Sequence, residues 1–168
     1  MIKKITAHKL DQTKNVSRKK SNTNNENSSI DYSNAIVKKP WGYEFLVFEN
    51  DYVAIWMLHI VRKKKTSLHC HPRKITSLIL LSGEASFYHI DDTVELSEMD
   101  GLVIDKGVFH STEASSPYSI NPPSENGIWV LEIESPPIKT DLVRMKDNYG
   151  RVGESYEGRK KMVFDPSE

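Results

Sequence analysis

The sequence has a single cysteine, Cys70, so no internal disulfide can staple the chain. The fold must rest on its core or on a metal, as suits a reducing compartment. Long apolar runs are also missing. Nothing approaches the roughly 18 consecutive apolar residues of a membrane span, and the lysine-bearing N-terminus has no apolar stretch before a small-residue cleavage site. These absences argue against a membrane span and a secretory signal, and the expected location is cytoplasmic. At 168 residues and 38% hydrophobic the chain is sized for one domain. A mean hydropathy of −0.53 is nevertheless more polar than a compact domain of that length needs, which predicts that part of the chain lies outside the core.

Net charge is the third absence, and it is an average over two unlike parts. Residues 1–40 carry nine Lys or Arg against three acids, a net +6, which leaves fourteen bases and twenty acids, −6, for the other 128 residues. An acidic body disfavours nucleic acid as its partner, because a phosphate-tracking surface carries a basic excess. Between Asn15 and Asn34, six Asn and five Ser fill 11 of 20 positions with hardly an apolar side chain to bury, so chain entropy should win over packing. Residues 1–35 are therefore expected to be a disordered basic tail, 36–153 the folded barrel and 154–168 a C-terminal appendage.

What is present from residue 43 onward is β pattern. Residues 43–49 and 52–61 are rich in aromatic and β-branched side chains, with turn chemistry at Asn50 and Asp51, and they read as a hairpin. Shorter strands are predicted at 67–70, 76–81, 85–90, 93–96, 102–104, 110–113 and 128–133. The breaks fall at Gly83, Asp91, Gly101, Gly107 and a proline-bearing loop over 115–127. Nine short strands without an amphipathic helix predict an all-β barrel or sandwich, with a jelly roll leading.

Histidine placement carries the chemistry. His69 and His71 lie two apart on an extended segment, so both imidazoles project from one face while Cys70 points the other way. His110 follows a glycine-containing turn at the start of another strand, where antiparallel pairing would bring it beside them. Three neutral imidazoles suit one divalent ion, Zn, Fe, Mn or Ni, with positions left open for water or substrate, against the plain reading of separate surface or core histidines.

The surroundings of these histidines resemble a known family. His69-Cys70-His71, four further residues, Thr76, six further residues and Gly83 together look like the first cupin motif, in which a glutamate ligand and then a glycine follow His-x-His. Asp105-Lys106-Gly107-Val108-Phe109-His110 is similar to the second motif, with Asp105 in the proline position. Four further segments resemble the mannose-6-phosphate isomerase domain also found fused to mannose-1-phosphate guanylyltransferase: Lys39-Pro40-Trp41-Gly42-Tyr43-Glu44, the turn 80–85, Leu131-Glu132-Ile133-Glu134, and 141–151. The resemblance implies a cupin-type jelly-roll barrel, often a homodimer, that binds one divalent metal and acts on a sugar phosphate or nucleotide sugar. The glutamate register falls on Thr76 and its neighbouring alternative on Lys74, so the motif's carboxylate is absent; Glu84 and Glu113 are other carboxylates in the region.

An aldose–ketose isomerase moves a proton between C1 and C2, which needs a base and an electrophile for the enediolate oxygen. A metal on His69, His71 and His110 would be the electrophile. The base is not identifiable from the sequence; Glu132 and Glu134 share one strand face and are candidates, but the favoured structural reading is an exposed-face pair on the last strand. Arg144 and Arg151 would grip a phosphate with Lys39 assisting, against a plain reading as surface ion pairs. Trp41, Trp56 and Trp129 either line a sugar site or belong to the core. Two other functions fit the same residues: a non-catalytic sugar-binding or sensor cupin, favoured by Thr76, and a non-haem iron dioxygenase.

Overall fold

The computed structural model describes residues 1–11, 32–115 and 127–151, together with the backbone of 163–164. Two sheets form a jelly-roll barrel. The larger contains β1 (Ile2–Ile5), β2 (Ile36–Lys39), β3 (Gly42–Glu49), β4 (Ala54–Val61), β6 (Ile75–Ser82), β9 (Gly101–Ile104), β11 (Gly127–Ser135) and β13 (Val163–Phe164). Its order is β1-β9-β6-β11-β4-β3-β2-β13. The smaller sheet, in the order β12-β5-β10-β7-β8, contains β5 (Leu68–Cys70), β7 (Ala85–His89), β8 (Asp92–Leu96), β10 (His110–Ala114) and β12 (Val143–Lys146). All nine predicted strands are present, and the predicted hairpin is β3–β4, turned by an Asn50 side chain that accepts the backbone N–H groups of Tyr52 and Val53. Among the described residues no helix is long and apolar enough to cross a membrane.

The alternation of each strand decides what faces inward. On β4 Ala54, Trp56, Leu58 and Ile60 are buried, on β6 Thr76, Leu78 and Leu80, and on β11 Ile128, Val130, Glu132 and Glu134. The apolar members join Phe87, Leu96, Leu102, Ile104 and Val108 in one core between the sheets. Each large side chain so buried contributes roughly 1.5–3 kcal/mol. Both long neighbours of β4 start on a glycine pressed against its backbone. A Cβ on Gly42 would lie 1.9 Å from the His59 carbonyl oxygen, and one on Gly127 2.1 Å from that of Ile60. No side chain fits at either position, and both glycines hold positive φ angles, 150° and 135°.

The N-terminus departs from the expected tail over 1–35. Ile2–Ile5 lies parallel to β9 as an added edge strand, with Ile5 buried and the terminal ammonium 2.9 Å from Asp100 Oδ1. Further on, the buried carboxylate of Asp11 accepts the N–H groups of Phe109 (3.0 Å) and His8 (2.7 Å). A four-residue Ile-Lys-Lys-Ile strand shows no alternation long enough to be recognised, and its ladder partner is about a hundred residues away. The Asn- and Ser-rich stretch of the expected tail falls almost wholly on residues 12–31, outside the described residues. At the other end, the expected appendage contributes β13, which pairs with β2.

Candidate metal centre

The three histidines meet because β10 pairs antiparallel with β5, placing His110 directly opposite His69. Their ring centroids are 4.6 Å apart, and His71, just beyond the end of β5, lies 5.0 Å from His69 and 5.5 Å from His110. The three sets of ligating atoms fall within 4.8 Å of one another. Cys70, buried, points away as the strand period requires.

Each imidazole is held by its Nδ1. That of His69 meets the Ser67 carbonyl at 2.7 Å, that of His71 the Asp141 carbonyl at 2.6 Å and that of His110 the Val108 carbonyl at 2.9 Å. A carbonyl oxygen only accepts, so each Nδ1 carries the proton and each Nε2 is left with a lone pair. Burial, assisted by neighbouring positive groups, holds His69 and His71 well below the ordinary imidazole pKa. Burial lowers His110 to about 4. The rings are therefore neutral at physiological pH, with no proton competing for their lone pairs. His71 Nε2 is buried and has no hydrogen-bond partner. Oriented, neutral, convergent imidazoles with an orphaned acceptor among them fit a divalent first-row ion.

Asp141 organises the loop that follows β5. Its carboxylate accepts the backbone N–H groups of Arg73 (2.8 Å) and Lys74 (3.1 Å) and the Arg73 guanidinium (3.1 Å), while its carbonyl holds His71. The Gly107 N–H donates to the His71 carbonyl at 2.8 Å, tying the turn that carries His110 to the same loop. In the sequence Asp141 is only the first residue of the closing segment 141–151. Nothing in its spacing says that it reaches back 70 residues to fix a histidine.

Beside the histidines lies a buried ionic floor. Glu132 and Glu134, expected as an exposed-face pair, are instead both buried on the inner face of β11. The outward positions are instead Trp129, Leu131 and Ile133, half-buried, with Trp129 packed on Tyr43 and His59. One ligating atom each from His71, Glu132 and Glu134 falls within 4.8 Å. Burial, and next the Glu134 charge, pushes the Glu132 carboxyl well above the ordinary carboxylate range. Lys74, fully buried, donates to Glu134 Oε1. Further along, Glu44 takes Lys139 at 3.0 Å and Lys39 at 3.7 Å. Burial favours the neutral form of Glu44, but the two ammonium groups outweigh it and hold the pKa below its usual value.

The remaining expected site residues are distributed unevenly. Lys39, Arg144 and Arg151 all line the cavity, along with Trp41. Arg144 is buried on β12, paired in register with His69. Arg151 directs its guanidinium onto Asp147, at 2.7 and 3.1 Å, and Lys39 is engaged with Glu44. Trp56 is core, with the Lys139 ammonium 3.2 Å from its ring centroid. Thr76 is buried and its hydroxyl lacks a partner. Of the other carboxylates, Glu84 is exposed and Glu113 is paired with Lys65 at 3.8 Å, so neither joins the site.

No known family profile matches the sequence, and no curated protein matches it. Solved structures do. KdgF from a Halomonas species superposes with a TM-score of 0.53 at 17% identity, covering 67% of this chain and 93% of that one. A double-stranded β-helix protein from Klebsiella pneumoniae gives 0.51 at 13% identity, with 70% and 90% covered. An RmlC-like cupin from Shewanella frigidimarina gives 0.50 at 16% identity, with 66% and 91% covered. With two sheets, nearly all-β content and these neighbours, the chain has the double-stranded β-helix fold of the cupins and carries a histidine-rich candidate metal site inside it.

Proposed function

We propose that this protein is a metal-dependent aldose–ketose isomerase acting on a small sugar phosphate, of the mannose-6-phosphate isomerase kind, with His69, His71 and His110 holding the ion. The observation that carries the reading is the adjacency, in one cavity, of three Nδ1-anchored imidazoles and the buried carboxylates Glu132 and Glu134. A divalent ion held there supplies Lewis acidity to a substrate carbonyl. Glu132, a buried carboxylate beside the histidines, serves as the base of the C1–C2 proton transfer. Lys39, Arg144 and Arg151 give the cavity wall the positive charge that a phosphate requires, Arg151 after exchanging Asp147 for substrate. Trp41 offers an apolar surface for sugar C–H groups.

A coupled assay converting mannose 6-phosphate to fructose 6-phosphate, with Zn²⁺, Mn²⁺, Fe²⁺ or Ni²⁺ added in turn, tests this. Turnover that vanishes in Glu132→Gln is expected. A folded, metal-loaded protein that converts none of a panel of sugar phosphates would sink the reading. The alternative of a non-catalytic sugar-binding cupin draws on one observation, the engagement of Glu134 by Lys74 where Thr76 supplies no carboxylate. Ligand-induced thermal stabilisation without product would favour it.

A further inference from the structure

The chain lacks a carboxylate at Thr76, yet the neighbouring strand carries one in register with it. In the β6–β11 ladder Thr76 is directly opposite Glu134, and opposed residues of an antiparallel pair share a face with Cβ atoms about 4.5–5.5 Å apart. Both are buried and both point inward.

Two orphaned acceptors sharpen this. Glu134 Oε2 and His71 Nε2 are each buried with no hydrogen-bond partner, and the ligating atoms of the two residues lie within 4.8 Å. The Nδ1 proton of His71 is committed to the Asp141 carbonyl, so His71 Nε2 has no hydrogen to donate. Lone pairs brought together in this way are satisfied by a cation between them, whose two bonds of about 2.0–2.2 Å together reach across about 4.4 Å at most. The other oxygen of Glu134 accepts from Lys74, which fixes the direction of the carboxylate.

We propose that Glu134 is the fourth protein ligand of an ion held by His69, His71 and His110, replacing across one strand spacing the carboxylate missing at Thr76, and that Lys74 is its positioning residue. This rests on the metal reading given above. It divides the two glutamates of β11 by role: Glu134 binds the ion, and Glu132, whose oxygens are not engaged by Lys74, remains for proton transfer.

Metal-stripped full-length protein titrated with Zn²⁺ against a chelator of known affinity, with the Co²⁺ absorption spectrum as a second readout, tests the assignment. Glu134→Gln should weaken Zn²⁺ binding about 100-fold and alter the Co²⁺ bands, the upper end of what loss of a supporting group costs. Glu132→Gln should leave affinity unchanged. Thr76→Glu introduced into the Glu134→Gln protein should recover at least about tenfold, because it returns the carboxylate to the opposed position. Glu134→Gln strands a buried ammonium, so Lys74→Met/Glu134→Gln serves as the folded control and should show the same loss. If both Glu134 variants bind as tightly as wild type while His71→Ala loses the ion, or if Glu132→Gln alone shows the loss, the ligand assignment is overturned and the metal reading stands. If wild type itself binds no ion, both fall.

Discussion

The inner face of β11 changes character halfway along. Ile128 and Val130 enter a core of Leu58, Ile60 and Leu80, whereas Glu132 and Glu134, on the same face of the same strand, enter an ionic floor with Lys74 and His71. β6 repeats the change, from Leu80 and Leu78 to Thr76. Burial is comparable in the two stretches, but the physics differs. Apolar side chains contribute stability by leaving water, while buried charges lose hydration that mutual attraction only partly offsets. The ionic stretch is thus maintained at a cost to folding.

That contrast can be broken at specific residues. Lys74→Met leaves Glu134 buried without its cation and should destabilise the protein by about 3–5 kcal/mol. Leu80→Ala in the apolar stretch should cost about 2–5 kcal/mol with metal affinity unchanged. Replacing both ionic partners, Lys74→Met/Glu134→Leu, should leave metal-free stability equal to wild type or higher by about 1–4 kcal/mol, in spite of removing a buried ion pair. Urea unfolding of the metal-free proteins measures all three, and a double variant less stable than Lys74→Met alone would contradict the contrast. Asp11→Ala should cost about 1–3 kcal/mol by leaving the Phe109 N–H unpaired next to His110, and a variant of wild-type stability would return residues 1–11 to the status of an unattached tail.

The last contrast is one of slope. Because the folded pKa of Glu44 lies below its unfolded value, its contribution to stability is present above the ordinary carboxylate range and is lost as pH falls through the folded pKa. Glu132 has the opposite sign: with a raised folded pKa, its contribution is present at low pH and lost as pH rises toward neutrality. In metal-free protein, Glu44→Gln should flatten the acid side of the stability profile and Glu132→Gln the side approaching neutrality. Profiles that shift the other way would show that the two carboxyls are not held as their surroundings dictate.

Nine strands were legible because β-rich stretches are bounded by turn residues, and the histidine triad because His-x-His on a strand needs only local geometry. β2 and β12 were not, since each gains its place from a partner strand rather than from its own pattern. The ionic floor was legible as residues but not as an arrangement. Alternation puts Glu132 and Glu134 on one face without saying which face is inside, and that is decided by the stretch of Ile128 and Val130 ahead of them. Asp141, Lys139 and Glu44 act across sequence separations that leave no local trace.

On the proposed metal reading, the polar stretch of the inner face holds one ion. Calorimetric titration of metal-stripped protein with Zn²⁺ measures this directly. One ion per chain bound by the wild type, and none by His71→Ala, is the expected result. A folded wild-type protein showing no saturable Zn²⁺, Mn²⁺, Fe²⁺ or Ni²⁺ binding would contradict it.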